Sequence, residues 1–305
     1  MGTPRAAVPS LERLMREGHA VAAVYVQPDK PSGRGKKITF TPVKEFALAH
    51  GLKVLQPSKI RSSEAIDQFR AHNADAAIVV AYGRILPEEF LNAFPNGAIN
   101  VHFSLLPKYR GAAPVNWAIA GGESETGVTT MQMDAGLDTG PILLQRSTAI
   151  GPDETSIELT ERLSLIGADL LSETLAGLDE IVRRPQDDND ACFAPILKRE
   201  DGLIDWNMPA WEIANRARGF QPFPTAYTYR NDLRLTIWMA RSFDRSAEQR
   251  SAGEVIESRG DLLLIGCGAD SVLRVEELQI EGKKRLPARD FLNGVQIKVG
   301  EVFGK

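Results

Sequence analysis

Residues 76–101 read AAIVVAYGRILPEEFLNAFPNGAINV. Two short β-branched runs, Ala76 to Ala81 and Ala98 to Val101, flank the helical composition of Pro87 to Ala93. Strand, helix and strand in one stretch is the pattern of parallel strands joined by a crossover helix. Outward from it, the strand-like runs Val21 to Val26, Lys53 to Leu55 and Val128 to Met133 alternate with the amphipathic segments Ser10 to Glu17, Val43 to His50 and Ser63 to His72. Thr155, with Glu158 three residues on and an apolar stripe through Leu159, Leu163, Ile166 and Leu170, reads as a capping box opening a long helix. The pattern predicts an α/β fold in which residues 1–182 form a Rossmann-like, doubly wound domain. Such a sheet normally begins with a buried strand feeding its first glycine turn, whereas Met1 is followed at once by Gly2-Thr3-Pro4. A first strand is therefore expected upstream of the numbered start.

Periodicity is lost from Arg183 to Asn207, and the polar run Arg183 to Asp190 predicts a solvated linker over 183–207. Residues 208–305 then hold one helical segment, Ala210 to Arg218, and five short strands: Ala226 to Tyr229, Leu233 to Ala240, Gly253 to Ile256, Leu262 to Ile265 and Val272 to Ile280. This spacing predicts an OB-like β-barrel, a scaffold often used for oligonucleotides, although fold alone does not establish function.

Composition narrows the class. A chain of 305 residues that is 43% hydrophobic and 25% charged has enough apolar surface for a large core, which argues against disorder. No run approaches the ~18 uninterrupted apolar residues of a membrane helix, and the N-terminus lacks a basic segment followed by an apolar stretch, so no membrane contact and a cytoplasmic location are expected. Cys192 and Cys267 are too few and too isolated for a disulfide framework or a Cys-type zinc site, and are expected to be reduced and inert. The net charge of −4 argues against a surface built throughout for nucleic acid. Divided after Trp206, the chain carries −6 and then +2, a weak sign that a polyanion would meet the second half.

Three segments could carry chemistry. The densest is Ile99 to Pro114, a strand end followed by a loop, which is where ligands bind in open α/β sheets. Period-2 alternation puts Asn100 and His102 on one side of that strand. A carboxamide and an imidazole together can hydrogen-bond a developing oxyanion and exchange a proton, as acyl transfer requires. A lone strand-end histidine satisfied by backbone is the bland alternative, and His19, His50 and His72, each beside a helix end, need no function. In Met133 to Pro141, one of Asp134 and Asp138 could orient His102 while the other makes a turn; a metal is disfavoured, because no further ligands stand at the right spacing. Gln27 to Lys37 is a glycine-containing loop with Arg34, Lys36 and Lys37 close together. It lacks the P-loop and dinucleotide fingerprints and suits an RNA backbone, or is simply a solvated loop.

Asn100-Val101-His102-Phe103-Ser104-Leu105-Leu106-Pro107, together with Leu137-Asp138-Thr139-Gly140, resembles the folate-dependent formyltransferases, whose active site is an Asn, a His and an Asp. Gln27 to Lys37, Tyr109 to Pro114, Thr126 to Thr129, Met131 to Asp134, Arg218 to Pro224 and Leu278 to Lys284 are similar to the branch of that family that formylates methionyl-tRNA. The resemblance spans nearly the whole chain. It implies transfer of a formyl group from 10-formyltetrahydrofolate to the α-amine of initiator methionyl-tRNA, by a monomer and without a metal. It also implies Asn100, His102 and Asp138 as the catalytic trio, Ser104, Leu105, Leu106 and Pro107 against the folate, and Arg34, Lys36 and Lys37 against the acceptor stem, with the C-terminal barrel holding tRNA on a basic face. Phe103 departs from a pattern that often has glycine there, and is expected either to narrow the pocket floor or to pack behind it. Two other readings remain: a nucleotide-linked amino sugar as acceptor, which would not need the basic loop, and an RNA-binding module with a vestigial site.

Overall fold

The computed structural model describes residues 1–32, 37–245, 247 and 250–304. The chain separates into two compact units. One comprises Met1–Pro114, Glu125–Ala149 and Thr160–Pro195; the other comprises Val115–Ser124, Ile150–Leu159 and Ile196–Lys305.

The strands of the first unit, in chain order, are β1 (Val24–Tyr25), β2 (Lys30–Ser32), β3 (Lys37–Thr39), β4 (Val54–Leu55), β5 (Ala77–Val79), β6 (Ala98–His102), β7 (Arg110–Gly111), β8 (Glu125–Gln132), β9 (Ile142–Ala149) and β10 (Phe193–Ala194). Its helices are α1 (Val8–Arg16), α2 (Pro42–Ala49), α3 (Ser63–Arg70) and α4 (Glu88–Leu91); two more, α5 (Pro114–Ala120) and α6 (Ser156–Ala176), have residues in both units. Local chemistry sets the starts of these helices. The Thr41 hydroxyl accepts from the Lys44 amide with Pro42 in the first turn, and the Ser62 hydroxyl accepts from the Ala65 amide. At α6 the expected capping box is present: the Thr155 amide donates to the Glu158 carboxylate at 2.9 Å, and the Glu158 amide donates back to the Thr155 hydroxyl. The carboxylate accepts from the Thr155 amide and also from the Thr155 hydroxyl at 2.8 Å, and these two bonds, the amide first, hold the Glu158 carboxyl below its ordinary range.

The sheet is mixed, in the order β5-β6-β8-β9. β5 and β6 are parallel, with Val79 opposite Asn100, whereas β6–β8 and β8–β9 are antiparallel. The run at Val128 to Met133 is thus not a parallel strand but half of a hairpin whose partner, β9, carries no clean period of 2. β1 and β4 form a separate parallel pair. Met1 and Gly2 lie between the two sheets: the Gly2 amide donates to Tyr25 O, and the Val80 amide donates to Met1 O. A cavity of about 510 Å³ adjoins them, lined from both sides by Ala22, Val24, Ala77 and Ile78. Tyr25 closes one end of this region, stacked edge-on against Phe69 and hydrogen-bonded at 3.0 Å to His72.

In the second unit β11 (Ala226–Arg230), β12 (Leu233–Phe243), β13 (Val255–Arg259), β14 (Leu262–Gly266), β15 (Val272–Ile280) and β16 (Leu286–Pro287) pair antiparallel in the order β11-β12-β15-β14-β13, with β16 also on β15. Among the described residues this ladder does not close into a barrel, so the observed architecture is a small sheet domain. Helix α7 (Ala210–Gly219) contributes Ile213 and Ala217 to its core with Trp206, Leu235, Ile237 and Leu273, and α8 (Ala288–Gly294) contributes Phe291. The unit also includes α5 and the start of α6. Asn116 donates to Gly219 O at 2.7 Å, and the Ser156 hydroxyl donates to Gln221 O at 2.6 Å. No helix among the described residues is long and apolar enough to cross a membrane.

Burial pushes the Cys267 thiol up to about 12, and burial followed by the nearby Tyr82 pushes the Tyr25 phenol up to about 12. In the unfolded chain these groups ionise near 9 and 10. Their folded pKa values are raised, so the stability they contribute is complete below pH 9 and is lost as pH climbs toward 12. Urea denaturation at pH 8 and at pH 11 is expected to show this loss, and Tyr25→Phe is expected to reduce it; equal losses in both proteins would refute the assignment to Tyr25.

Candidate active site

β6 is buried along its whole length and paired on both sides, so its side chains are committed to two faces. Asn100 and His102 share one face and are 8% and 6% exposed. Val101 and Phe103 point the other way, toward Gly167 of α6. A Cβ on Gly167 would stand 2.9 Å from Val101 Cγ1 and 3.3 Å from Phe103 Cε1. Phe103 therefore packs behind the strand, and the departure at this position does not narrow the face that carries Asn100 and His102.

The His102 ring is hydrogen-bonded at Nε2 and faces a carboxylate at Nδ1. Nε2 lies 3.0 Å from Tyr109 O, an acceptor only, so Nε2 carries the hydrogen and donates. Nδ1 lies 3.7 Å from Asp138 Oδ2, a carboxylate oxygen that also accepts from the Gly111 amide at 2.8 Å. The two aspartates of the downstream turn divide their work. Asp134 Oδ1 accepts from the Gly136 amide at 3.0 Å and the Thr139 hydroxyl at 2.7 Å, closing the turn. Asp138 is free of that duty and reaches His102. Among the described residues the Asn100 carboxamide has no hydrogen-bond partner, which leaves a nearly buried donor beside a held imidazole. Such a pair can stabilise negative charge growing on a carbonyl oxygen.

The loop after β6 is fixed by a residue that pattern reading did not single out. Thr129, fully buried on β8, donates its hydroxyl to Ser104 O at 2.7 Å and accepts from the Leu106 amide and from Gln145 Nε2, both at 3.1 Å. Gln145 also donates to Leu106 O at 2.8 Å. Ser104 and Leu106 are consequently buried, with the Ser104 hydroxyl donating to Lys108 O, while Leu105 and Pro107 are half-buried. The segment expected as a solvated linker is bound to the first unit as far as Pro195: the Arg110 amide donates to Cys192 O, and Arg110, only 4% exposed, donates to Gln186 Oε1 and Asp188 Oδ1. Periodicity could not reveal this, because the contacts are made by isolated side chains and by backbone pairings of one or two residues, too short to leave a period.

The base of the basic loop is anchored by Lys44, which pairs with Asp29, and by Gln56, which donates to Asp29 Oδ1 and Gln27 O. Hydrogen bonds from Lys44 and then Gln56 hold the Asp29 carboxyl below its ordinary range. Arg34 and Lys36 lie outside the described residues, as does the side chain of Lys37. Among the described residues, no three His, Cys, Asp or Glu side chains are grouped as a metal site would require.

A mixed α/β unit presenting Asn, His and Asp at a strand end, followed by a sheet unit, is an arrangement suited to group transfer. Residues 1–175 match the family described as formyl transferase and residues 196–296 match the formyl transferase C-terminal domain; the chain belongs to that family. It is 49% identical over 306 residues to a methionyl-tRNA formyltransferase of Geobacter metallireducens and 50% identical over 307 residues to one of Solibacter usitatus, covering 100% of this chain and 97% of each relative. Among solved structures, the fold is shared with WlaRD, a sugar 3N-formyl transferase, at TM-score 0.66 and 20% identity over 93% of this chain and 97% of that one. It is also shared with an N-formyltransferase from Helicobacter canadensis at TM-score 0.65 and 19% identity, over 90% and 96%.

Thr129→Val keeps the shape but leaves a buried amide and a buried carbonyl short of a partner, a loss of about 2 kcal/mol. Urea denaturation is expected to show it, and an unchanged midpoint would contradict this account of the loop.

Proposed function

We propose that the chain transfers the formyl group of 10-formyltetrahydrofolate to the α-amine of initiator methionyl-tRNA, as a monomer in the cytoplasm. The observation that carries this reading is the identity of about half of all residues, along the whole chain, to curated methionyl-tRNA formyltransferases. Residues 1–182 carry the chemistry, 183–207, bound to the first unit as far as Pro195, lead on from it, and 208–305, the small sheet domain, hold tRNA. On that unit Lys283 and Lys284 are exposed in the turn between β15 and β16, and Arg285 lies over the Trp238 ring at 5.0 Å.

In the reaction the uncharged amine bonds to the formyl carbon, and the bond from that carbon to the folate nitrogen breaks. The amine gives up a proton and the folate nitrogen takes one. Asn100 donates to the formyl oxygen as negative charge grows there, and His102 becomes the second donor when its Nε2 hydrogen turns from Tyr109 O to that oxygen. Asp138, on the Nδ1 side, fixes the ring and assists the proton transfer. Leu105 and Pro107 offer the folate the accessible surface of their loop, while Ser104 and Leu106, held inside, give that loop its shape. Arg34, Lys36 and Lys37 engage the acceptor stem.

Asn100→Ala and His102→Ala are each expected to lower turnover by ~10²-fold or more, with tRNA binding retained. Normal turnover in both would remove the assignment. Arg34→Ala is expected to weaken tRNA binding and flatten its salt dependence, and an unchanged salt titration would count against the loop. Formyl incorporation into methionyl-tRNA but not into a nucleotide-linked amino sugar supports the acceptor named here; the reverse result overturns it.

A further inference from the structure

We infer that Gln186 is the positioning residue that sets Asp138 against His102. The inference rests on the reading of Asp138 and His102 as reacting groups.

Asp138 sits in a left-handed backbone conformation, φ +54°, which costs a residue with a Cβ and must be held by its surroundings. The holder is one side chain. Gln186 Nε2 donates to Asp138 O at 2.8 Å and to Gly140 O at 2.7 Å, clamping the turn from behind. Gln186 Oε1 accepts from Arg110 Nε at 3.0 Å and Arg110 Nη2 at 2.9 Å. Arg110 stands between Tyr109, whose carbonyl takes the His102 Nε2 hydrogen, and Gly111, whose amide donates to Asp138 Oδ2. Both loops that touch the imidazole thus meet at one carboxamide. Gln186 is itself placed by its neighbours: Arg184 pairs with Ile142 through two backbone hydrogen bonds of 2.8 and 2.9 Å, and Asp188 takes Arg110 Nη1 at 2.8 Å.

The chemistry selects the residue. Glutamate would pair with Arg110 but would present oxygen to two carbonyl oxygens, and alanine would abandon both partners. Gln186→Glu therefore keeps the link to Arg110 and cuts the two links to the turn, at Asp138 O and Gly140 O. The 3.7 Å gap between Nδ1 and Asp138 Oδ2 is already at the edge of useful contact, so a small shift of the turn removes it.

The test is steady-state kinetics of the full chain with 10-formyltetrahydrofolate and methionyl-tRNA, for Gln186→Glu, Gln186→Ala, Asp138→Asn and the Gln186→Glu/Asp138→Asn double variant, with thermal midpoints for each. Gln186→Glu is expected to lower kcat by roughly tenfold, to leave both KM values within about twofold, and to melt like the parent. In the Asp138→Asn background it is expected to cost less than about twofold more, because its effect runs through Asp138. Parent-like kcat in Gln186→Glu, a rise in KM alone, or a double variant that loses the product of the two single effects would each overturn the inference. Should Gln186→Glu melt early, Gln186→Ala is compared against Asp138→Asn in the same way. Normal turnover in Asp138→Asn would instead bring down the reading of the site, and the role of Gln186 with it.

Discussion

Everything at the site follows from the constraint on β6. Hydrogen-bonded to β5 on one side and β8 on the other, with all five side chains buried, it has no freedom to slip. A shift of one residue would turn Val101 and Phe103 outward and drive Asn100 and His102 into α6, exchanging packed apolar contacts for buried polar groups without partners. The face that carries Asn100 and His102 is therefore fixed by the same burial that stabilises the sheet. Gly167 completes that arrangement by letting α6 approach Val101 and Phe103 closely.

On this rigid strand the site is finished by two loops, which gain their order from single polar side chains. Thr129 fixes the loop after β6 with one hydroxyl, and Gln186 ties the turn of Asp138 to the segment around Arg110. A buried hydrogen-bond hub contributes little net energy when satisfied but is costly to break, so such hubs specify geometry more than they add stability. The turn of Asp134 shows the cheaper alternative, a loop closed by its own aspartate, which leaves Asp138 available for His102.

The second unit is ordered by different means. Its core is continuous apolar packing around Trp206, whose indole donates to Thr228 at 3.1 Å, and much of its surface charge is neutralised locally. Arg241, Arg245 and Arg274 each pair with a carboxylate on the same unit. Exposed pairs of this kind add little stability, but they take those cations out of play for a polyanion. Lys283 and Lys284 remain exposed in a turn, which is why the modest positive charge of this half is more informative by position than by sum.

Sequence pattern alone carried the α/β character of the first unit, the capping box of α6 and the sheet character of the second, because these are set by side-chain period and by groups three or four residues apart. It also placed Asn100 and His102 on one face, since a strand alternates whatever surrounds it, and motif spacing brought Asp138 into view. What it could not determine was strand direction at β8, the hairpin partner β9, the attachment of 184–194 to the first unit, and the inclusion of α5 in the second. The hairpin rests on backbone pairing with a strand that does not alternate cleanly, and the others on contacts between residues far apart in the chain, made at the site by one carboxamide, one hydroxyl or one missing Cβ. Such elements leave no period in the sequence, because their partners are chosen by the folded backbone and not by their neighbours.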